Sequence, residues 1–278
     1  MADGIDWGAA FANASGGGMQ VYDDVLVPRM FVPWAELLLD HVAPREGESV
    51  LDVACGPGTV ARRAAHRVGS AGRVTGCDLS PAMLAIARGK PAVEDGAPIE
   101  YFECPADALA VPDDTYDVVV CQQGLQFFPD RPAAVREMKR AARSGARIGV
   151  AVWCASEENP PFHALGSALG EVLGPDMEHS YRGGPWGFHQ SEPLRRLFED
   201  AGFSTVAVQR HVLPVEFEGG PAQLLSTLAA APVAATIAEL GDTGQSRLAE
   251  AFARHVAPLM QDGAIRSETA THIVTATA

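Results

Sequence analysis

The sequence predicts an α/β fold, a mostly parallel sheet with helices on both faces, and three observations carry that reading. From residue 50 to about 153, short apolar runs alternate with stretches of helical period, the pattern of strand–helix–strand units. The first of these runs, Val50-Leu51-Asp52-Val53-Ala54-Cys55-Gly56-Pro57-Gly58-Thr59, goes from an apolar strand into a glycine turn and then a helix. Asp78 ends the second run, about twenty residues past the turn. Together they describe a nucleotide-binding turn at the carboxyl end of a parallel strand.

The elements follow in order. Strands are expected at 50–54, 73–77, 98–102, 116–121, 146–153, 203–209 and 271–277. Helices between them carry start and stop signals: Ser80 before Pro81, Asp130 before a helix from Pro132 to Arg143, and Ser191 before one from Leu194 to Ala201, stopped by Gly202. Val135, Met138, Ala141 and Ala142 share one face, as do Leu194, Leu197, Phe198 and Ala201, and both faces read as core. Three segments fall outside the alternation. Residues 1–44 hold the Gly-rich stretch Ser15-Gly16-Gly17-Gly18 and an amphipathic helix from about Met30 to Val42. Residues 155–190 are broken by Pro and Gly, and residues 211–270 contain two helical patterns, at roughly 221–240 and 244–260. Ligands in open α/β sheets bind beyond the carboxyl ends of the strands. The chain therefore divides into an N-terminal lid and helix (1–44) and one main domain (45–278), whose insertions at 155–190 and 211–270 are expected to complete a helical lid over the acceptor.

At 278 residues, nearly half of them apolar, the chain suffices for one large domain and is too short to demand two. Its formal charge of -14 disfavours nucleic acid and anionic membranes as partners, which leaves a small neutral or cationic molecule. No basic segment followed by an apolar one opens the sequence and no run has the length of a membrane span, so a cytoplasmic protein is expected. A homo-oligomer is compatible with the sequence. The five cysteines at 55, 77, 104, 121 and 154 form no metal-ligand spacing, so they are expected as small buried residues and no metal site is expected.

Two cofactor classes fit the turn. Gly56-Pro57-Gly58-Thr59-Val60-Ala61 satisfies the G-x-G-x-x-A form of the dinucleotide fingerprint, with Asp78 placed for a ribose. Asp52, however, puts a carboxylate at the mouth of the turn, where it repels a pyrophosphate and favours an ammonium or sulfonium. Asp107 follows the third strand, where a cationic or adenine-bearing ligand can use it. Three acids at successive strand ends suit S-adenosylmethionine better than NAD.

Four ordered motifs extend this: Leu51-Asp52-Val53-Ala54-Cys55-Gly56-Pro57-Gly58, Gly76-Cys77-Asp78-Leu79-Ser80-Pro81-Ala82-Met83-Leu84, Ala106-Asp107-Ala108-Leu109, and Tyr116-Asp117-Val118-Val119-Val120-Cys121-Gln122-Gln123-Gly124-Leu125-Gln126-Phe127-Phe128. On these motifs residues 46 to 155 resemble the class I S-adenosylmethionine-dependent methyltransferases, in particular the small-molecule group similar to ubiquinone/menaquinone C-methyltransferases (methyltransferase type 11). The resemblance implies a Rossmann-like sheet of seven strands, the last antiparallel. It implies S-adenosyl-L-methionine as methyl donor, S-adenosyl-L-homocysteine as product, and a small organic acceptor in secondary or cofactor metabolism. It also implies roles: Asp52 and the turn Ala54, Cys55, Gly56 and Gly58 for the methionine part, Asp78 for the ribose, Leu79 and Met83 for the adenine faces, and Asp107 with Ala106 and Ala108 for the adenine edge. Gln122 and Gln123 stand where family members bring methionine and acceptor together, and Tyr22 where an aromatic hydroxyl closes over the cofactor. Two positions depart from the pattern. Ala54 replaces a commoner glycine, which is expected to require negative φ there, and Ser144-Gly145-Ala146 replaces a Pro-Gly-Gly before the fifth strand.

Every candidate also has a structural use. Asp78 can cap the turn at Ser80-Pro81, Asp52 can pair with Arg29 or Arg62, Asp107 can be a loop acid, and Tyr22 a packing tyrosine. Gln126 can bond a loop backbone, and Phe127 and Phe128 can fill the core. An acceptor that starts protonated needs a base, for which His163 and His189 are candidates, with Gln126 as an uncharged third group; the sequence fixes none of them as catalytic. Competing functions are an S-adenosylmethionine-binding cyclase, a non-catalytic binding protein, and an NAD-dependent oxidoreductase, the last opposed by Asp52 and Asp107.

Overall fold

The computed structural model describes residues 5–12 and 17–278, so the first four residues and the Ser15-Gly16 part of the Gly-rich stretch lie outside the described residues. The chain forms two compact units. One, the sheet unit, comprises Phe31–Val152, His189–His211 and Thr271–Ala278; the other, the helical unit, comprises the residues up to Met30 with Trp153–Phe188 and Val212–Ala270.

The strands are β1 (Ser49–Val53), β2 (Arg73–Asp78), β3 (Ile99–Glu103), β4 (Tyr116–Gln122), β5 (Ala142–Trp153), β6 (Ser204–Phe217), β7 (Met260–Gln261) and β8 (Ala264–Thr277), in the order β3-β2-β1-β4-β5-β8-β6 with β7 paired to β8. β1 to β5 run parallel, with Asp52 opposite Gly76 on one side and Val120 on the other. Ala278 exchanges backbone hydrogen bonds with Gly145 and Ala146, while Cys154 N–H donates to Ala270. Rising numbers on β5 meet falling numbers on β8, so the expected antiparallel strand is present. The seven expected strands all form, and the two-residue β7 is added.

Apolar alternation drives this arrangement. Val50, Val74, Val118 and Val120 point into a core closed by Leu38, Leu39 and Val42 of the Val32–Val42 helix and by Ala61, Ala64, Ala65 and Val68 of the Thr59–Val68 helix. Each such buried Val or Leu contributes roughly 1.5–3 kcal/mol. Gly149 lets the first helix approach the sheet, since a Cβ there would stand 2.5 Å from Val42. Two expected caps form: Ser80 Oγ accepts from Met83 N–H (3.4 Å) and Asp130 Oδ1 from Ala133 N–H (2.8 Å). Ser191 does not cap; it is the first residue of the Ser191–Asp200 helix, whose N-cap Gln190 makes no side-chain cap bond. Ser144-Gly145-Ala146 lies inside β5 rather than before it, because Gly145 at φ 81° absorbs a register shift between the Tyr116↔Ala142 and Val118↔Arg147 pairs.

In the helical unit the Pro- and Gly-broken stretch 155–190 is largely helical. Pro160 and Pro161 fall in the first turn of a Pro160–Leu173 helix, where a missing N–H costs nothing, and Gly174 at φ 99° separates it from a Pro175–Gly183 helix. Phe162 and Trp186 are buried in an aromatic cluster with Trp153 (5.6 Å from Trp186) and Phe217 (6.3 Å from Phe162). The 211–270 stretch forms helices at Gly220–Ser226, Ala234–Glu239 and Gly241–Val256, divided near Pro232 and at Gly241. No helix among the described residues is long and apolar enough to cross a membrane.

Candidate cofactor site

The chain turns back on itself as soon as β1 ends. Cys55 N–H donates to Cys77 O on β2 (2.9 Å) and Gly58 N–H to Cys55 O (3.0 Å), with Ala54, Gly56 and Gly58 all at positive φ. Ala54 therefore contradicts the expected negative φ: it sits at 56°, and room for its methyl group comes from Gly124, where a Cβ would lie 2.6 Å from Ala54 Cβ. Gly58 has no substitute, because its φ is 79° and a Cβ would fall 2.4 Å from the Tyr101 hydroxyl. The Thr59–Val68 helix starts at once, so its first free N–H groups belong to the turn. Lys90 Nζ donates to Pro57 O (3.0 Å) and braces the turn.

Two acids meet there. Asp52 is 1% exposed; its Oδ2 accepts from Ala61 N–H (2.9 Å), and its Oδ1 has no partner among the described residues. Neither suggested arginine is its partner, since Arg29 pairs with Glu218 and Arg62 donates to Pro91 O. Burial pushes the Asp52 carboxyl up to about 8, and the nearby Asp78 adds to the rise. Asp78 Oδ2 accepts from Gly56 N–H (2.7 Å) and Oδ1 from Ser80 N–H (2.8 Å), so the acid staples the turn to β2 and also serves the structural use foreseen at Ser80. Its pKa is raised too, desolvation outweighing these bonds. Two desolvated acids favour a cationic guest. Leu79, beside Asp78, is 49% exposed although it is a large apolar side chain, while Met83 is buried one helical turn on. Ala106 and Asp107 are half-buried, and Ala108 is exposed with its N–H bonded to Pro105 O.

The end of β4 supplies amides. Gln122 Nε2 donates to Phe31 O (2.9 Å), and Gln123 Nε2 to Thr271 Oγ1 (3.1 Å) while its Oε1 has no partner among the described residues. Gln123 is held at φ 56°. Gln126 follows on the Leu125–Phe127 turn, 4% exposed, and its side chain does not bond a loop backbone as its structural use would have it: neither amide atom has a partner among the described residues.

The sheet unit thus gathers Asp52, the Ala54 to Gly58 turn, Asp78, Leu79, Met83, Ala106 to Ala108 and the three glutamines at the carboxyl ends of β1, β2, β3 and β4. The Cys55 side chain is buried, which leaves its backbone as its contribution. His189 belongs to the same unit; Tyr22, in a π-helical Tyr22–Phe31 run, and His163 belong to the helical unit. His163 Nδ1 lies 3.3 Å from Ser156 Oγ, and desolvation and Arg182 hold its pKa down.

Sequence reasoning missed Tyr101. It stands on β3 opposite Gly76 with its buried hydroxyl against Gly58, and burial raises its phenol pKa. Gly76 in mid-strand was the available signal, since glycine inside a strand marks a close approach. The five cysteines are free and buried as expected, and the Cys104 thiol is held below its ordinary range by the neighbouring Cys77. Among the described residues no three His, Cys, Asp or Glu side chains gather as a metal site.

The ubiE/COQ5 methyltransferase family model matches residues 18–216, a span holding the glycine turn, both stapled acids and the glutamines. The chain belongs to the ubiE/COQ5 methyltransferase family. It is 30% identical over 200 residues to the demethylmenaquinone methyltransferase of Listeria welshimeri, covering 68% of this chain and 84% of that protein. It is 31% identical over 181 residues to the ubiquinone/menaquinone biosynthesis C-methyltransferase UbiE of Hahella chejuensis, covering 61% and 72%. Among solved structures, phosphoethanolamine N-methyltransferase 2 of Haemonchus contortus in complex with S-adenosyl-L-methionine superposes with TM-score 0.63 at 16% identity, over 98% of this chain and 60% of that one. The [4+2]-cyclase SpnF superposes with TM-score 0.52 at 20% identity, over 88% and 80%. At such identities both show the Rossmann-like fold alone. This enzyme is an S-adenosylmethionine-dependent methyltransferase with a small-molecule acceptor, and the NAD reading of the glycine turn falls away.

Proposed function

We propose that this methyltransferase methylates a ring carbon of a small hydroxylated aromatic acceptor of the quinol kind. The observation that carries this reading is the family match, joined to the names of the relatives. S-adenosylmethionine supplies a methyl group on a positively charged sulfur, already activated for displacement. The chain's own residues fit that group. Asp52 offers a buried oxygen without a partner among the described residues to the cationic methionine part, Asp78 its carboxylate to the ribose, Leu79 an exposed apolar face and Met83 a buried apolar side chain to the adenine, and Asp107 with Ala106 and Ala108 its edge. Gln122 and Gln123 flank the methionine part. Glycine at 56, where a Cβ would meet nothing within 4 Å, keeps the backbone bare on the ligand side.

A hydroxyl donates electron density to its ring, so the carbon beside it attacks the methyl group without a strong base. In that reaction the C–S pair would stay on sulfur, giving S-adenosylhomocysteine, and the ring carbon would pass its proton to water to restore aromaticity. Alignment and water exclusion then carry the catalysis, and near-attack positioning supplies several kcal/mol, up to about 7–11. His163 and His189 are not required as bases for such a carbon. A cytoplasmic enzyme is part of the same proposal, with homo-oligomerisation to be read by light scattering.

Purified enzyme with methyl-labelled S-adenosylmethionine and 1,4-naphthoquinol kept reduced should yield a ring-methylated product and an equal amount of S-adenosylhomocysteine by mass spectrometry. Methylation confined to oxygen or nitrogen, across quinols, catechols and amines, would replace this acceptor reading.

A further inference from the structure

Gln126 carries a cost that the fold does not explain. Its carboxamide is 96% buried, yet neither Oε1 nor Nε2 has a hydrogen-bond partner among the described residues. Leaving such groups unpaired is destabilising, and a leucine or methionine of similar volume would avoid it. The turn around it does not need the side chain. Phe127 N–H donates to Gly124 O (2.9 Å), Phe128 N–H to Leu125 O (3.3 Å), and Arg131 donates Nε to Leu125 O (3.2 Å) and Nη2 to Gln126 O (2.6 Å). Three residues earlier, Gln123 is held in the left-handed region, and Gly124 rests on Ala54 of the glycine turn. Local strain and unpaired polar atoms together, at the end of a central strand, mark a place shaped for a guest rather than for stability.

We infer that Gln126 is the residue that selects the acceptor, by pairing its amide N–H and its carbonyl with a hydroxyl and an oxygen acceptor on one neutral molecule. This rests on the acceptor reading above and narrows it. A carboxamide offers one donor group and one acceptor group and carries no charge at any ordinary pH. A neutral ring bearing two oxygens satisfies both atoms. An acceptor carrying a carboxylate or ammonium brings a desolvated charge against a neutral dipole and is rejected, whereas an analogue lacking the oxygens leaves the amide unpaired and binds poorly.

The test compares wild type with Gln126→Leu and Gln126→Glu by thermal unfolding without ligand, calorimetry with S-adenosylhomocysteine, and steady-state kinetics with 1,4-naphthoquinol. Gln126→Leu should raise Tm by about 2–4 °C and keep the S-adenosylhomocysteine Kd within about 2-fold. It should lower kcat/KM at least about 10-fold, mainly through KM. Gln126→Glu should lose activity above neutral pH and regain part of it as the new carboxyl is protonated. A lower Tm for Gln126→Leu would show that the amide is bonded within the fold, and unchanged kcat/KM would show that it does not touch the acceptor; either result overturns the proposal. If wild type leaves the naphthoquinol unmethylated, the quinol reading fails by itself. Gln126 is then decided by the other two measurements: a raised Tm with unchanged S-adenosylhomocysteine affinity supports it, and a lowered Tm or lost affinity overturns it.

Discussion

Ala54, Asp52 and Asp78 show three different costs at single residues. Ala54 holds a left-handed backbone, worth roughly 1–2 kcal/mol of strain for an L-residue, whereas glycine at the same place adds about 0.5–1 kcal/mol of unfolded-state entropy. Ala54→Gly should therefore stabilise the protein by up to about 1 kcal/mol, read as a higher urea midpoint at unchanged slope. A lower midpoint would mean that the methyl group's packing against Gly124 outweighs the strain. Asp52 has a folded pKa of about 8 against 3.8 when unfolded, so the folded state binds its proton more tightly. Its favourable contribution is complete below about pH 4 and is lost as pH rises through 8. The ligand-free protein should thus lose stability between pH 5 and 8, and Asp52→Asn should flatten that slope. A cationic ligand beside Asp52 reverses the shift, so S-adenosylmethionine binding at pH 7 should release protons, measured by calorimetry in buffers of different ionisation enthalpy. Asp78→Ala removes the acceptor of Gly56 and Ser80 N–H groups and should weaken S-adenosylhomocysteine about 10-fold or more, while the folded state persists.

At the scale of elements, proline and glycine in 155–190 punctuate helices instead of preventing them. The Pro160–Leu173 helix buries Phe162, Leu165 and Leu169, so its amides should exchange slowly in the absence of ligand. Rapid exchange there would mean that this burial does not hold the helix in the free protein. Asn159 secures the start of this helix: fully buried, it donates to Cys154 O and Ala155 O and accepts from Ala270 N–H. Asn159→Ala leaves these backbone groups unpaired and should cost about 2–4 kcal/mol in urea unfolding. The bounds of this helix and its anchor were not legible in sequence, because Ala270, which donates to Asn159, is 111 residues away. The strands from β1 to β4 were legible within a residue or two, since each is an apolar run bounded by turn residues.

For the whole molecule, the acidic cofactor turn should bind S-adenosylmethionine and S-adenosylhomocysteine and give no saturable heat with NAD or NADP; tighter binding of NAD would undo the assignment of the turn. The sequence by itself determined where the strands lie along the chain, the glycine turn and the acids that follow it, because strand period, glycine and carboxylate placement are local properties written within a few residues of each other. Only the tertiary structure decided which polar groups are satisfied. Asp78 is bonded twice and Gln122 is bonded to Phe31, whereas Asp52 Oδ1 and both amide atoms of Gln126 have no partner among the described residues. Hydrogen-bond satisfaction and desolvation depend on residues distant in sequence, so a motif can place a carboxylate or an amide at a strand end but cannot say whether the fold has already used it.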